Sequence, residues 1–287
     1  MTDVLVLGAT GTTGRRVAAI LTDRGVPVRS ATRNPTSPGH VRFDWTDRAT
    51  HAPALDGVAA VYLVAPPGEA DPAPLVEPFL EEALRRGVRR VAQLSSSALS
   101  EGDPGLGAVH RLVRSAMPEW AVLRPSWFMQ NFTGEHLVAQ GVRDGEIVTA
   151  TGDGRVAFID ADDIAAVAAH ALTDPVAHNT DHILTGPRAL GYDEAAAIVA
   201  RHLGRPVRHR SVPADELAER IAAGGIPLEF ARILSALDVD IAGGAEDRVT
   251  RTVEEVTGRP ARTFEEFCAG NLPMCATDAT EVRRSVG

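Results

Sequence analysis

Short apolar runs alternate along this chain with longer stretches in which apolar residues recur every three or four positions. A continuous apolar run marks a strand buried on both faces, and the longer period marks a helix with one buried stripe. Strands are predicted at residues 4–7, 28–31, 41–43, 59–64, 89–94 and 121–123, with two more at 156–159 and 182–184. Helices are predicted over about 13–24, where Val17, Ile20 and Leu21 share one face, and over 73–86, with a kink demanded by Pro78. Two more are predicted at 106–116 and 162–172, and residues from about 192 to 271 read as mostly helical. Strands and helices alternating in this way predict an α/β fold, a Rossmann-type doubly wound parallel sheet followed by a smaller, mostly helical C-terminal lobe. The expected division is 1–125 plus about 155–185 for the sheet domain, and about 126–154 with 186–272 for the lobe. A frayed tail is expected over 273–287.

The first strand runs straight into Gly8-Ala9-Thr10-Gly11-Thr12-Thr13-Gly14, and a helix begins at the third glycine. Gly8 permits the tight turn, Gly11 lets the backbone approach a pyrophosphate, and Gly14 lets the helix pack close to the sheet. The free N–H groups of the helix start favour the anion. With Thr10, Thr12 and Thr13 between the glycines, this turn predicts nucleotide binding. The second strand ends in Ser30-Ala31-Thr32-Arg33-Asn34. No acid stands where an NAD site carries Asp or Glu, and the guanidinium of Arg33 suits a ribose 2′-phosphate. NADP(H) is therefore the expected cofactor. Asp44 follows the third strand, placed either to accept from the adenine amino group or to cap a helix. Val64, Ala65 and Pro66 close the fourth strand, where the chain lies beside the expected cofactor.

Composition narrows the chemistry. Of 287 residues, 29 are basic and 38 acidic, a formal charge of −9. That sign repels phosphate backbones, so no nucleic-acid partner is expected. Every basic side chain is arginine, which excludes a lysine Schiff base, a Walker A clamp and a Tyr-x-x-x-Lys pair. No run approaches the ~18–20 apolar residues of a membrane span, and the N-terminus has no signal-peptide pattern. Cys268 and Cys275 match neither a zinc pattern nor a disulfide framework. A cytoplasmic protein, a monomer or homodimer with no metal and no membrane partner, is the expectation. His178 with His182, and the acidic residues Asp160, Asp162 and Asp163, are read as packing and helix-capping features.

Beyond these features the chain resembles the NmrA-like, atypical short-chain dehydrogenase/reductases. The likeness is carried by the residue 8–14 turn, by 31–35, by Leu94-Ser95-Ser96, and by Arg124-Pro125-Ser126-Trp127-Phe128-Met129-Gln130-Asn131-Phe132. Further on it is carried by 161–165, 257–260, Thr263 and Phe264. The stretch from Arg124 to Phe132 is most similar to the ergot-alkaloid branch, the festuclavine and agroclavine dehydrogenases. Similarity to triphenylmethane reductases and NADPH:quinone reductases is more diffuse. The resemblance implies a Rossmann domain, a C-terminal substrate lobe and NADPH in the cleft. It also admits redox sensors and non-enzymatic regulators, which share the scaffold. Many members carry His-x-x-x-Glu or a lysine on the helix after the fifth strand. Here His110 is kept and Arg114 replaces the acid.

Reduction of a ketone needs an acid for the alkoxide, yet only Tyr62 and Tyr192 offer phenols. Tyr62 is expected in the core, and Tyr192 at the start of a late helix. An iminium becomes a neutral amine, and a quinone or enone gives a delocalised anion, so these acceptors ask mainly for placement in a dry pocket. The candidate catalytic residues are His110 and Ser96. Ser95 is assigned to the cofactor, and Ser97, Trp127, Phe128 and Asn131 to the substrate. Together these features point to an NADPH-dependent reductase of a small hydrophobic, polycyclic molecule, in bacterial secondary metabolism. An NADP(H)-sensing regulator without turnover and a non-reductive tailoring (coupling) enzyme remain as alternatives.

Overall fold

The computed structural model describes residues 3–273, so the expected tail lies almost wholly outside the described residues. In chain order the elements are β1 (Asp3–Val6), α1 (Gly14–Asp23), β2 (Val28–Thr32), β3 (His40–Arg42), α2 (His51–Leu55), β4 (Val58–Leu63), α3 (Ala73–Arg85) and β5 (Arg90–Leu94). Then come α4 (Leu106–Ala116), β6 (Glu119–Pro125), α5 (Leu137–Asp144), β7 (Glu146–Thr149), β8 (Arg155–Val156), α6 (Ala161–Thr173) and β9 (Thr180–Leu184). The last are β10 (Leu190–Gly191), α7 (Tyr192–Leu203), β11 (Arg208–Ser211), α8 (Ala214–Ala223), α9 (Leu228–Ala242), α10 (Thr252–Thr257) and α11 (Phe264–Asn271). Single 3-10 turns occupy Arg48–Thr50 and Met129–Phe132.

The chain forms two compact units. The first contains Met1–Phe128, Ala157–Pro187 and Arg248–Ala261. Its seven strands lie in the order β3-β2-β1-β4-β5-β6-β9, every neighbouring pair parallel. Alternation along the strands divides the core in two. Val4, Val6, Ala60, Tyr62, Ala92 and Leu123 face one side with residues of α1, α6 and α10. Leu5, Leu7, Val61, Leu63, Val91 and Val122 face the other, with α2, α3 and α4. A parallel sheet covered on both faces is what continuous apolar runs produce. The order reverses between β1 and β4, which opens a crevice beyond the carboxyl ends of the strands.

α3 spans Ala73–Arg85 with Pro78 inside it and buries Val76, Phe79, Leu80 and Ala83. Two differences from the sequence reading have physical causes. The run at 156–159 forms only the two-residue β8, paired antiparallel with β10, while Ile159 bridges Phe128. Residues 248–261 belong to the first unit rather than the lobe. Val253 is buried in the α1–α6 core, and the Thr250 hydroxyl donates to the Ile183 carbonyl at 2.8 Å.

Among the described residues the second unit contains Met129–Val156, Arg188–Asp247 and 262–273. Within it β7 pairs in parallel with β11. Helices α8 and α9 pack together beside β7, around Ala150, Leu217, Ala218, Ile221 and Ala231. Phe132 meets Phe264 edge-on at 4.8 Å between ring centres and stacks on Tyr192 at 6.1 Å. Among the described residues no helix is long and apolar enough to cross a membrane.

Candidate functional site

A groove of about 770 Å³ lies at the carboxyl ends of the strands of the first unit, where the sheet order reverses. Its floor is the turn after β1. Gly8 adopts φ +63°, a left-handed conformation that side chains resist, and its carbonyl accepts from the Gly11 N–H at 2.8 Å. A Cβ on Gly14 would stand 2.2 Å from that same carbonyl oxygen, so only glycine lets α1 start this close to the strand. Thr13 is the N-cap of α1, but no side chain caps the helix and its first turn holds no acid. With neither a side-chain cap nor an acid there, the helix dipole favours an anion at this turn, which fits a dinucleotide's diphosphate. Gly8, Thr10, Gly11, Thr12 and Thr13 line the groove, while Gly14 sits beneath them. Arg16 braces the turn, donating to the Thr12 carbonyl at 2.7 Å and pairing with Asp162.

One end of the groove is built by the loops after β2 and β3. Arg33 lines it from an exposed position, and no hydrogen bond or salt bridge ties it to another described residue. Asp44 lines it too. Its Oδ1 accepts from the Thr46 N–H at 2.9 Å and the Thr46 hydroxyl at 2.8 Å. These bonds, reinforced by the nearby charges of Arg33 and Arg42, hold the carboxyl below its ordinary range. The cap of the following turn is Asp47, not Asp44, so the Asp44 carboxylate stays at the groove. Its backbone is fixed by the Thr50 hydroxyl, which accepts from the Asp44 N–H at 3.0 Å. Val64, Ala65 and Pro66 form the opposite wall, continued by Pro67, Gly68 and Glu69, and Leu94 and Phe128 close the far end.

Trp45 and Thr46 also line the groove and were missed by the sequence reading. The indole lies edge-on to Phe43 (5.1 Å) and Phe79 (5.3 Å). The adjoining Phe43-Asp44-Trp45 was the available signal, since an aromatic beside a strand-end carboxylate is placed like that carboxylate.

Other candidates lie elsewhere. Ser95 and Ser97 extend β5, their N–H groups donating to the carbonyls of Leu123 and Pro125 at 2.7 and 2.9 Å. The Ser96 hydroxyl accepts from the Ala98 N–H at 3.3 Å, a turn-closing bond. None of the three borders the groove, and neither does His110. His110 shares the sheet-facing stripe of α4 with Val109 and Val113, its ring 6.1 Å from Trp120. Burial lowers its pKa, so the ring is neutral there. His110 is thus buried on α4, and Ser96 lies in the turn that follows β5. Trp127 is half-buried, its carbonyl accepting from the Ile159 N–H at 2.9 Å. Asn131 lies in the Met129–Phe132 turn of the second unit. Tyr62 and Tyr192 are both buried, and burial pushes their phenols up.

Turn, sheet order and groove define a dinucleotide-binding α/β protein. An NAD(P)H-binding family model matches residues 8–175, and an NmrA-like family model matches residues 108–268. The uncharacterized oxidoreductase YesF of Bacillus subtilis is 47% identical, over 97% of this chain and 98% of its own length. An agroclavine dehydrogenase of Claviceps fusiformis is 38% identical over 93% of this chain and 96% of its own. Among solved structures, an NADPH-dependent quinone oxidoreductase of Escherichia coli, complexed with NADPH, shares the fold with a TM-score of 0.79. It is 24% identical, covering 93% of this chain and 99% of its own. The chain belongs to the NmrA-like family of NAD(P)H-binding oxidoreductases, and its cofactor is NAD(P)H.

Proposed function

We propose that this protein is an NADPH-preferring reductase passing hydride to a small, hydrophobic, polycyclic acceptor of iminium, quinone or enone type. Arg33 carries the preference. It stands uncommitted at the groove, and no acid ends β2 to bond a free 2′-hydroxyl. A guanidinium there adds a bidentate, charge-assisted bond to a 2′-phosphate. The diphosphate would rest on the N–H groups of the 8–14 turn, with the adenosine beside Asp44 and the wall at Val64, Ala65 and Pro66. When bound, the dihydronicotinamide supplies the hydride. Phe128 would close the groove against water, with Trp127 and Asn131 beside it in sequence, and Ser97 after β5, as substrate contacts. Residues about 126–154 and 186–272, less the 248–261 segment, are assigned to the substrate. Cytoplasmic work in bacterial secondary metabolism, as a monomer or homodimer, completes the reading.

The experiment is NADPH consumption against a panel of quinones, enones and iminium salts. Turnover of at least one class, with NADH clearly poorer, is the expected result. NADPH binding without turnover of any panel member would favour a cofactor-sensing regulator.

A further inference from the structure

A carboxylate discriminates between ligands only when its own geometry is fixed before the ligand arrives. At the groove the fixing of Asp44 can be followed outward from its atoms. Its Oδ1 is taken by the Thr46 N–H and hydroxyl, while Oδ2 has no hydrogen-bond partner among the described residues. Its N–H donates to the Thr50 hydroxyl at 3.0 Å. Its carbonyl accepts from the Asp47 N–H at 3.2 Å, which closes a local turn, and from His51 Nε2 at 3.0 Å. Bonds on both sides of the Cα pin the two peptide planes that flank Asp44, and those planes set the direction in which its carboxylate leaves the chain.

His51 is the link from this turn to the core. It opens α2 and is buried, its ring stacked on Phe43 at 4.9 Å with the planes 18° apart. Phe79 meets it edge-on at 5.6 Å, and the groove-lining Trp45 does so at 6.2 Å. Ala54 and Leu55, further along α2, are buried in the same cluster as Phe43 and Phe79. A carbonyl can only accept, so His51 Nε2 carries a proton. Burial lowers the pKa of the ring, which is therefore neutral, with Nδ1 unprotonated. The Thr50 hydroxyl has a single proton. Its shorter contact is with the Asp47 carbonyl at 2.6 Å, against 3.3 Å to the Asp44 carbonyl. That leaves His51 as the side-chain donor to Asp44. Packing between Phe43 and Phe79 asks only for a ring, whereas the bond to Asp44 asks for its nitrogen.

The carboxylate held in this way has a definite preference. It lies below the ordinary carboxyl range and so is ionised and accepts only. Its unengaged Oδ2 suits a ligand N–H. Adenine offers one in the amino group on carbon 6. A purine with a carbonyl at that carbon would set oxygen against oxygen.

We propose that His51 is a positioning residue: through the Asp44 carbonyl it aims the carboxylate that selects a 6-aminopurine at one end of the groove. The inference rests on the reading above, in which the adenosine lies beside Asp44. Asp44 touches the base, and His51 acts only through Asp44.

The probe is the deaminated form of NADPH, whose base carries a carbonyl oxygen in place of the 6-amino group. Calorimetric titration gives the affinity of each protein for NADPH and for this analogue, and the ratio of the two is the readout. The wild type is expected to favour NADPH at least tenfold, the worth of a hydrogen bond to a charged group. His51→Phe keeps a ring for the Phe43 stack and loses the donor. Its ratio should fall below about threefold, chiefly through weaker NADPH binding. His51→Gln keeps a donor and loses the ring, and should retain most of the wild-type ratio even at a lower melting temperature. In an Asp44→Ala background, His51→Phe should leave both affinities as they are. A wild-type ratio in His51→Phe would overturn the proposal. So would a ratio lost equally in both variants, which would make ring packing the cause. A wild type that binds both dinucleotides equally refutes the placement of the base beside Asp44, and one that binds neither refutes the groove itself.

Discussion

Gly14 concentrates the constraints of the nucleotide turn in one hydrogen atom. A methyl group there would meet the Gly8 carbonyl at 2.2 Å, and both partners are backbone, so neither can swing away. Gly14→Ala should cost about 1–3 kcal/mol of stability, the usual cost of overpacking, measured by urea denaturation. A wild-type midpoint would show that the turn has slack. Gly11 is different: it is exposed, and a Cβ there stands 3.2 Å from the Gly8 carbonyl oxygen. Gly11→Val should leave the melting temperature near wild type while abolishing NADPH binding, because the branched side chain occupies the diphosphate's place. Retained affinity would contradict the assignment of the turn. Arg33→Ala should weaken NADPH by roughly 10- to 100-fold, the worth of a charge-assisted bond, and leave NADH unchanged.

At the scale of elements, legibility followed hydrophobic pattern. β1, β4 and α4 were plain because Val4–Val6, Val58–Leu63 and the Val109–Val113 stripe are buried as their period requires. β11 was missed because Arg208-His209-Arg210-Ser211 has no apolar alternation, and only its pairing with β7 makes it a strand. The return of 248–261 to the sheet unit was equally hidden. Val253, Val256, the Thr250 bonds and the Arg248 bond to the Ser97 carbonyl hold it there, and all reach residues distant in sequence. In the candidate site, the position of the glycine turn, Arg33 and Asp44 at the groove could be read because it follows from their place after a strand. The burial of His110 could not, since which way a helix residue faces depends on packing that no local pattern reveals. Val253→Ala should cost about 2 kcal/mol by leaving a cavity. Hydrogen exchange should show the loss in α6, which α10 covers, and not in α7. Equal loosening of both helices would place α10 wrongly.

Across the whole molecule, buried imidazoles set the acid limb of stability. His182 is lowered to about 4 by burial and by the neighbouring His178. Its ring nitrogen lies 2.8 Å from His178, which donates onward to Asp174 at 3.1 Å. The unfolded chain takes up a proton near the ordinary imidazole value of ~6.5, well before the folded one. This contribution is therefore intact above that range and lost as pH falls towards 4. The melting temperature should drop over that window, and His182→Asn should flatten the drop; an unaltered profile would count against a neutral His182. The central claim reaches further than stability: one groove at the sheet reversal grips a dinucleotide and selects its phosphorylated form. Calorimetric titration of the wild-type protein with NADPH and with NADH tests this most directly. The account predicts one site per chain and at least tenfold tighter binding of NADPH. Equal affinities would contradict the role of Arg33, and absence of binding by either would contradict the groove.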